Sequence, residues 1–279
     1  ALGISAIVLY FPYFVSFASQ AGGLIPNLVY ATRGAHLWVM FATFWIPIFA
    51  YLIYRWRKSG HMHMLIRGLA VSIAVVLVLW SFSLLLPTLL PLIGNILTPI
   101  ASTLANTSIT PISNMGLRLQ ESANNLSLAA DSLLSLLGAP SMSELFSEAF
   151  TRRWQHAGGW VTLTVLLSLV IGLLWKRPTT EQESDEVADK VTPQPSHQFI
   201  LILIAFGAFL VLVPEFVYIR DFFGYRINTI FKFYYQAWLL WSLAAAFGTA
   251  VLLSKLKGAW GYIHFVSLTV VLITGLTYT

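Results

Sequence analysis

Residues 199–219 read FILILIAFGAFLVLVPEFVYI. The run holds a single charge, Glu215, and its apolar residues are continuous rather than alternating. A helix needs about 20 predominantly apolar residues to cross the hydrocarbon core of a bilayer. A membrane-barrel strand would instead alternate apolar and polar positions over about 10 residues. The run therefore predicts a membrane-spanning helix. Working outward, 1–18, 37–54, 69–91, 160–175, 237–254 and 261–279 have the same character. Together they predict an all-α polytopic membrane bundle of about seven spans. Amphipathic helices are expected on its outer face.

Composition agrees. Of 279 residues, 57% are hydrophobic and 10% charged, against about 45–50% and about 25% in soluble domains. A soluble globule of this size could not hide so much apolar surface. The net charge of +5 then reflects Lys and Arg on cytoplasmic loops, and nucleic acid is not an expected partner. The chain has no cysteine, which excludes disulfides, thiolate metal sites and cysteine nucleophiles.

Arg55, Arg57, Lys58 and Arg67 follow the second span, and Lys255 and Lys257 follow the sixth. The positive-inside rule places these short loops in the cytoplasm. Segment 176–198 lies on the same side. It is acidic, polar and flanked by proline, which predicts a disordered linker. It separates a first membrane part, 1–175, from a second, 199–279. On the other side, 92–159 is rich in Ser, Asn, Thr and Leu. Ser141 to Glu144 has the form of a capping box, and amphipathic helices over the outer face are the expectation.

The outer loop 215–236 carries most of the functional signal. From Pro214 to Trp238 the sequence is PEFVYIRDFFGYRINTIFKFYYQAW, with ten aromatic residues. Interfacial anchoring accounts for Arg220, Tyr218 and Trp238. It accounts less well for Glu215, a carboxylate beside Pro214 near the end of an apolar span, where an unpaired charge is costly. Were the segment one helix, Asp221, Tyr225, Asn228, Lys232 and Tyr235 would share a stripe. Cations there neutralise phosphate, and Asn, Asp and Gln hydrogen-bond hydroxyls. A site for an anionic, hydroxyl-rich ligand is expected. Residues 16–36, with Gln20 and Arg33, and 150–160 (FTRRWQHAGGW), with Arg152, Arg153 and His156, are candidates to join it. His61 and His63 are two apart, not at the i, i+4 spacing of helical zinc ligands, so no metal site is expected. Phosphate-binding glycine loops and dinucleotide fingerprints are absent.

Three ordered segments, YFPYFVSFASQAGGLIPNLVYATRGAHLWVMF (10–41), FTRRWQHAGGW (150–160) and the 214–238 stretch, resemble the archaeal and Chloroflexi "YYY" integral membrane proteins of unknown function, the DUF2298 family. By that resemblance this chain corresponds to the C-terminal part of a longer protein. The family is in turn similar to GT-C type membrane glycosyltransferases, which use a polyprenyl-phosphate sugar donor on the outer face of the cell membrane. The resemblance implies phosphate contacts at Arg220, Arg226 and Lys232, with Gln20 and Arg33 from the early segment. It implies a polar shell of Asn228, Tyr234, Tyr235 and Gln236, and leaves Asp221 and Glu215 as the candidate catalytic acids or bases. The acidic catalytic residue of GT-C enzymes belongs to an upstream outer loop that this sequence does not contain. No cofactor is expected within the chain, although the similarity leaves room for a divalent metal in a longer protein. The partners implied are membrane lipids, the polyprenyl-phosphate sugar and other membrane subunits. The competing reading is a non-catalytic assembly subunit of a larger membrane complex. A transporter would be expected to show paired repeats and broken helices, and no repeat is visible.

Overall fold

The computed structural model describes residues 24–59, 62–128, 141–175, 195–219 and 225–276, with isolated positions at Leu9, Asp131, Leu134 and Ser135. These form eight helices: α1 Gly34–Ser59, α2 Met62–Ala105, α3 Thr110–Ser127, α4 Met142–Gln155, α5 Gly158–Leu174, α6 Pro195–Leu212, α7 Ile227–Lys255 and α8 Ala259–Leu276. A 3-10 turn, Val213–Glu215, follows α6, and a two-stranded antiparallel ribbon pairs β1 Leu24–Pro26 with β2 Val217–Ile219.

Spans beginning at Gly34, Met62, Ser196, Ile227 and Ala259 are long and apolar enough to cross a membrane. Helices α4 and α5 meet at 68° and are long and apolar enough only when taken together, which gives five or six candidate spans among the described residues. Of the expected seven, 1–18 lies outside the described residues apart from Leu9. Helices α1, α5, α6 and α7 enclose the core, with α2 packed on α5 and α8 on α1 and α7. The core centres on Phe41, Trp45, Tyr234 and Trp241, all nearly inaccessible. Phe41 meets Trp241 edge-on at 4.9 Å, and the Trp241 indole donates to the Ile204 carbonyl at 3.2 Å. That bond satisfies the one polar atom the ring would otherwise bury unpaired.

Two boundaries differ from the sequence expectation. The third span does not stop near residue 91: α2 runs on to Ala105, 44 residues in all. At 1.5 Å per residue this is about 66 Å, roughly twice the hydrocarbon thickness. Its far half forms a hairpin with α3, where a Cβ on Gly116 would lie 2.2 Å from the Ala105 nitrogen. The outer segment thus begins as a continuation of a span. Segment 215–236 is likewise not one outer loop or one helix. Glu215 closes a 3-10 turn, 217–219 is a strand, and Ile227 already opens α7. Tyr225 precedes α7, so of the expected stripe only Asn228, Lys232 and Tyr235 lie on that helix, and Asp221 lies outside the described residues. Proline lacks the N–H that a continuing α6 would need, so the helix tightens at Pro214, and the ribbon then turns the chain back.

Candidate functional site: a cationic cleft at one end of the bundle

The chain entering α1, the bend between α4 and α5, and the chain entering α7 come together at one end of the bundle. Their packing depends on glycine. A Cβ on Gly34 would sit 2.7 Å from the carbonyl carbon of Gly158, so the starts of α1 and α5 touch through bare backbone.

The loop before α1 is fixed by Asn27, which is 2% exposed. Its Oδ1 accepts from the Tyr30 amide at 3.0 Å, and its Nδ2 donates to the carbonyls of Tyr30 and Pro214, each at 2.8 Å. Side-chain capture of this kind stands in for a backbone turn. The loop is thereby tied to the turn after α6 and delivers Thr32 to Glu215.

Glu215 is buried and fully engaged. Its Oε2 accepts from the Thr32 amide at 3.0 Å, and its Oε1 accepts from the Thr32 hydroxyl at 2.5 Å and from Arg226 Nη1 at 2.8 Å. Arg226 Nη1 also donates to the Pro214 carbonyl at 3.1 Å, and its Nη2 to Thr32 Oγ1 at 2.9 Å. The guanidinium lies 5.9 Å from the Tyr30 ring. A buried carboxylate is tolerable when paired and hydrogen-bonded, and this one is. Thr229 Oγ1 accepts from the Ile219 amide at 3.0 Å, pinning β2 to the first turn of α7.

Arg153 forms a second buried anchor. Its guanidinium is held between the Trp80 and Phe216 rings at 5.0 and 5.1 Å. Nη2 donates to the Asn27 carbonyl and to Ser83 Oγ, each at 2.8 Å, and Nη1 meets no acceptor among the described residues. One side chain thus joins α4, α2 and the loop before α1. The four arginines Arg33, Arg152, Arg153 and Arg226 face two carboxylates, Glu148 and Glu215. Among the described residues the region keeps two positive charges in excess.

An open cleft of about 460 Å³ lies over this network, lined by Arg33, Arg152, Gln155, His156 and Arg226 together with Val29, Tyr30 and Ala31. Arg152 pairs with Glu148 along α4 and reaches the Val29 carbonyl at 3.4 Å. Arg33 is exposed and has no carboxylate partner among the described residues. The residues leading into α1 and α7 form two of the walls, and helix N-termini carry partial positive charge. Cations, helix ends and a polar floor suit an anion, with Arg geometry suited to phosphate.

Of the residues singled out from sequence, the structure brings Arg33 and Arg226 into this cleft and sets Glu215 directly beneath. Gln20, Arg220 and Asp221 lie outside the described residues. Asn228 is half-buried in the first turn of α7. Lys232, Tyr235 and Gln236 sit on its exposed face and do not line the cleft. Tyr234 points the other way and packs on Phe41 in the core at 5.5 Å between ring centroids. This is a consequence of helical phase: 230, 234, 237 and 241 face inward, so 232, 235 and 236 cannot. From the two candidate segments, 16–36 supplies Asn27 and Thr32 to the network, and 150–160 supplies Arg152 and His156 to the cleft and Arg153 beneath it. No group of three His, Asp or Glu side chains among the described residues is arranged to hold a metal ion.

With three separated segments converging on one cleft, the chain presents a multi-span membrane protein with a cationic site at one end of its bundle. It belongs to the DUF2298 family of uncharacterized membrane proteins, which matches residues 1–241. No curated protein and no solved structure matches it.

Proposed function

We propose that the protein is a glycosyltransferase-like protein of the cell membrane that binds the phosphate of a polyprenyl-phosphate-linked sugar in the cleft, on the extracytoplasmic side. The observation that carries this reading is the convergence of Arg33, Arg152 and Arg226 on one cleft at the end of the spans. A lipid-linked donor needs its chain in the bilayer and its phosphate and sugar at the interface, and a cleft at a bundle end meets both needs. Cations there would also stabilise a leaving phosphate. The basic loops at the opposite end support a cytoplasmic setting for that end by the positive-inside rule, and with it an outer setting for the cleft.

The carboxylates divide the work differently from the arginines. Glu215 accepts three hydrogen bonds from Thr32 and Arg226, an arrangement that occupies both its oxygens and leaves neither directed at the cleft as a base. Its role in this reading is to fix Arg226. Asp221 remains the candidate base for an acceptor hydroxyl. The engaged state of Glu215 also favours the second reading, a non-catalytic subunit that presents a lipid-phosphate site to a larger complex.

The test is binding of a short-chain polyprenyl-phosphate hexose to the purified protein, compared with the same polyprenol lacking phosphate. The phosphorylated lipid should bind at least tenfold more tightly, and Arg33→Ala with Arg152→Ala should remove that preference. Equal affinity for both lipids would sink the proposal. Binding without release of labelled sugar to any acceptor would select the non-catalytic reading.

A further inference from the structure

The end of the bundle opposite the cleft has a contrasting charge pattern. Arg57 and Lys58 lie in the last turn of α1, Lys255 ends α7 and Lys257 lies in the turn to α8. The Arg57 guanidinium stands 5.2 Å over the Trp260 ring, which joins the end of α1 to the start of α8. The Lys58 ammonium stands 5.2 Å from the Tyr54 ring. Gly258 adopts φ +64°, a conformation that favours glycine, and reverses the chain so that Lys255, Lys257 and Trp260 fall at one corner.

All four cations are exposed, and α1, α7 and α8 contain no Asp or Glu. The described carboxylates are Glu121, Asp131, Glu144, Glu148 and Glu215, and none of them forms an ion pair with these four cations. Trp260 and Tyr262 are 60% and 72% exposed beside them, at the place where aromatic side chains meet lipid headgroups. Helix α8 has only 6% of its span buried against the bundle, so acyl chains have a free surface directly beyond the corner. A cluster of four Lys and Arg at a span end, with aromatic anchors and an open apolar face, fits a phosphate on a diacyl lipid.

We propose that Arg57, Lys58, Lys255 and Lys257 form a binding site for the headgroup of an anionic phospholipid, with its chains along α8. The site is separate from the cleft and does not depend on what the cleft binds. The stacking on Trp260 and Tyr54 holds two of the cations ready, which lowers the ordering cost of binding.

Native mass spectrometry of the detergent-solubilised protein titrated with phosphatidylglycerol or phosphatidylcholine tests it. The expected result is a site that prefers phosphatidylglycerol, weakened on the order of fivefold per cation removed in Arg57→Gln, Lys58→Gln, Lys255→Gln and Lys257→Gln. The charge-preserving Arg57→Lys, Lys255→Arg, Lys257→Arg variant should keep the preference, and so should Arg33→Gln with Arg152→Gln. Loss of the preference only in the Arg33, Arg152 variant would place the lipid at the cleft and overturn the proposal. So would equal binding of the two lipids, or displacement by inorganic phosphate at the same concentration, which would mark a free-anion site.

Discussion

Two arginine–glutamate pairs stand at the cleft and differ in kind. Arg226 and Glu215 join residues 11 apart in sequence, with side chains 10% and 8% exposed, and share Thr32 as a common partner. Arg152 and Glu148 are one helical turn apart on α4, 38% and 49% exposed. The first pair connects the chain before α1, the turn after α6 and the start of α7. The second decorates one helix. Burial makes the members of the first pair dependent on each other, because neither charge can turn to water if its partner is lost. Water screens the second pair and replaces either member cheaply. The same contact type therefore builds the floor of the cleft in one place and tunes its rim in another.

The largest effect expected from this contrast follows Arg226→Met. It strands the Glu215 carboxylate with Thr32 alone, and loss of one partner of a buried pair costs about 3–5 kcal/mol. Thermal unfolding in detergent should show a large fall in Tm. The double variant Glu215→Leu, Arg226→Met should be less damaging than the single, because an apolar replacement of a buried pair is often near neutral. A double variant as damaged as the sum of both singles would break the idea of a mutually dependent unit. Arg153→Met comes next. It keeps an apolar body between Trp80 and Phe216 but removes two charged hydrogen bonds, a loss of roughly 1.5–3 kcal/mol. An unchanged Tm would mean that Asn27 and Ser83 do not need it.

Gly34→Ala probes the backbone contact that sets both pairs at one cleft. The new methyl group would press on Gly158 backbone, which cannot swing aside as a side chain can. The expected cost is about 1–3 kcal/mol. Lipid-phosphate binding should weaken too, since Arg33 precedes this contact by one residue. Reduced Tm with undiminished binding would show that Arg33 tolerates a shifted α1.

Much of the bundle was legible because apolar runs of span length have few other homes. The 199–219 run became α6 with its closing turn and strand, and Glu215 near the span end was recognisable as a charge in need of a partner. The partner was not legible. Arg226 is brought back by a ribbon whose other strand, Leu24–Pro26, lies nearly 200 residues away, and pairing across that distance leaves no local pattern. Helical phase on α7 also stayed hidden, since Lys232, Tyr234, Tyr235 and Gln236 all looked like polar or aromatic site residues until the core claimed Tyr234. Arg153 carried a usable signal: two adjacent arginines on a helix cannot share a face, so when Arg152 stays at the surface its neighbour turns inward.

The smallest effect on stability separates the two pairs most cleanly. Glu148→Gln breaks an exposed i, i+4 pair, and such pairs contribute about 0.3–0.5 kcal/mol. Tm should barely move. Binding should respond more, because the substitution removes one of the two carboxylates that offset the arginines around the cleft. Arg152 would keep its reach to the Val29 carbonyl and face an anion with its charge no longer neutralised. Affinity for a polyprenyl-phosphate lipid should then rise a few-fold at low salt. The gain should shrink as ionic strength increases, since exposed charges are screened beyond about 10 Å at 0.1 M salt. A variant that loses several degrees of Tm would place Glu148 with the buried class. One that binds phosphate lipid more weakly would show that Glu148 positions Arg152 rather than competing for it.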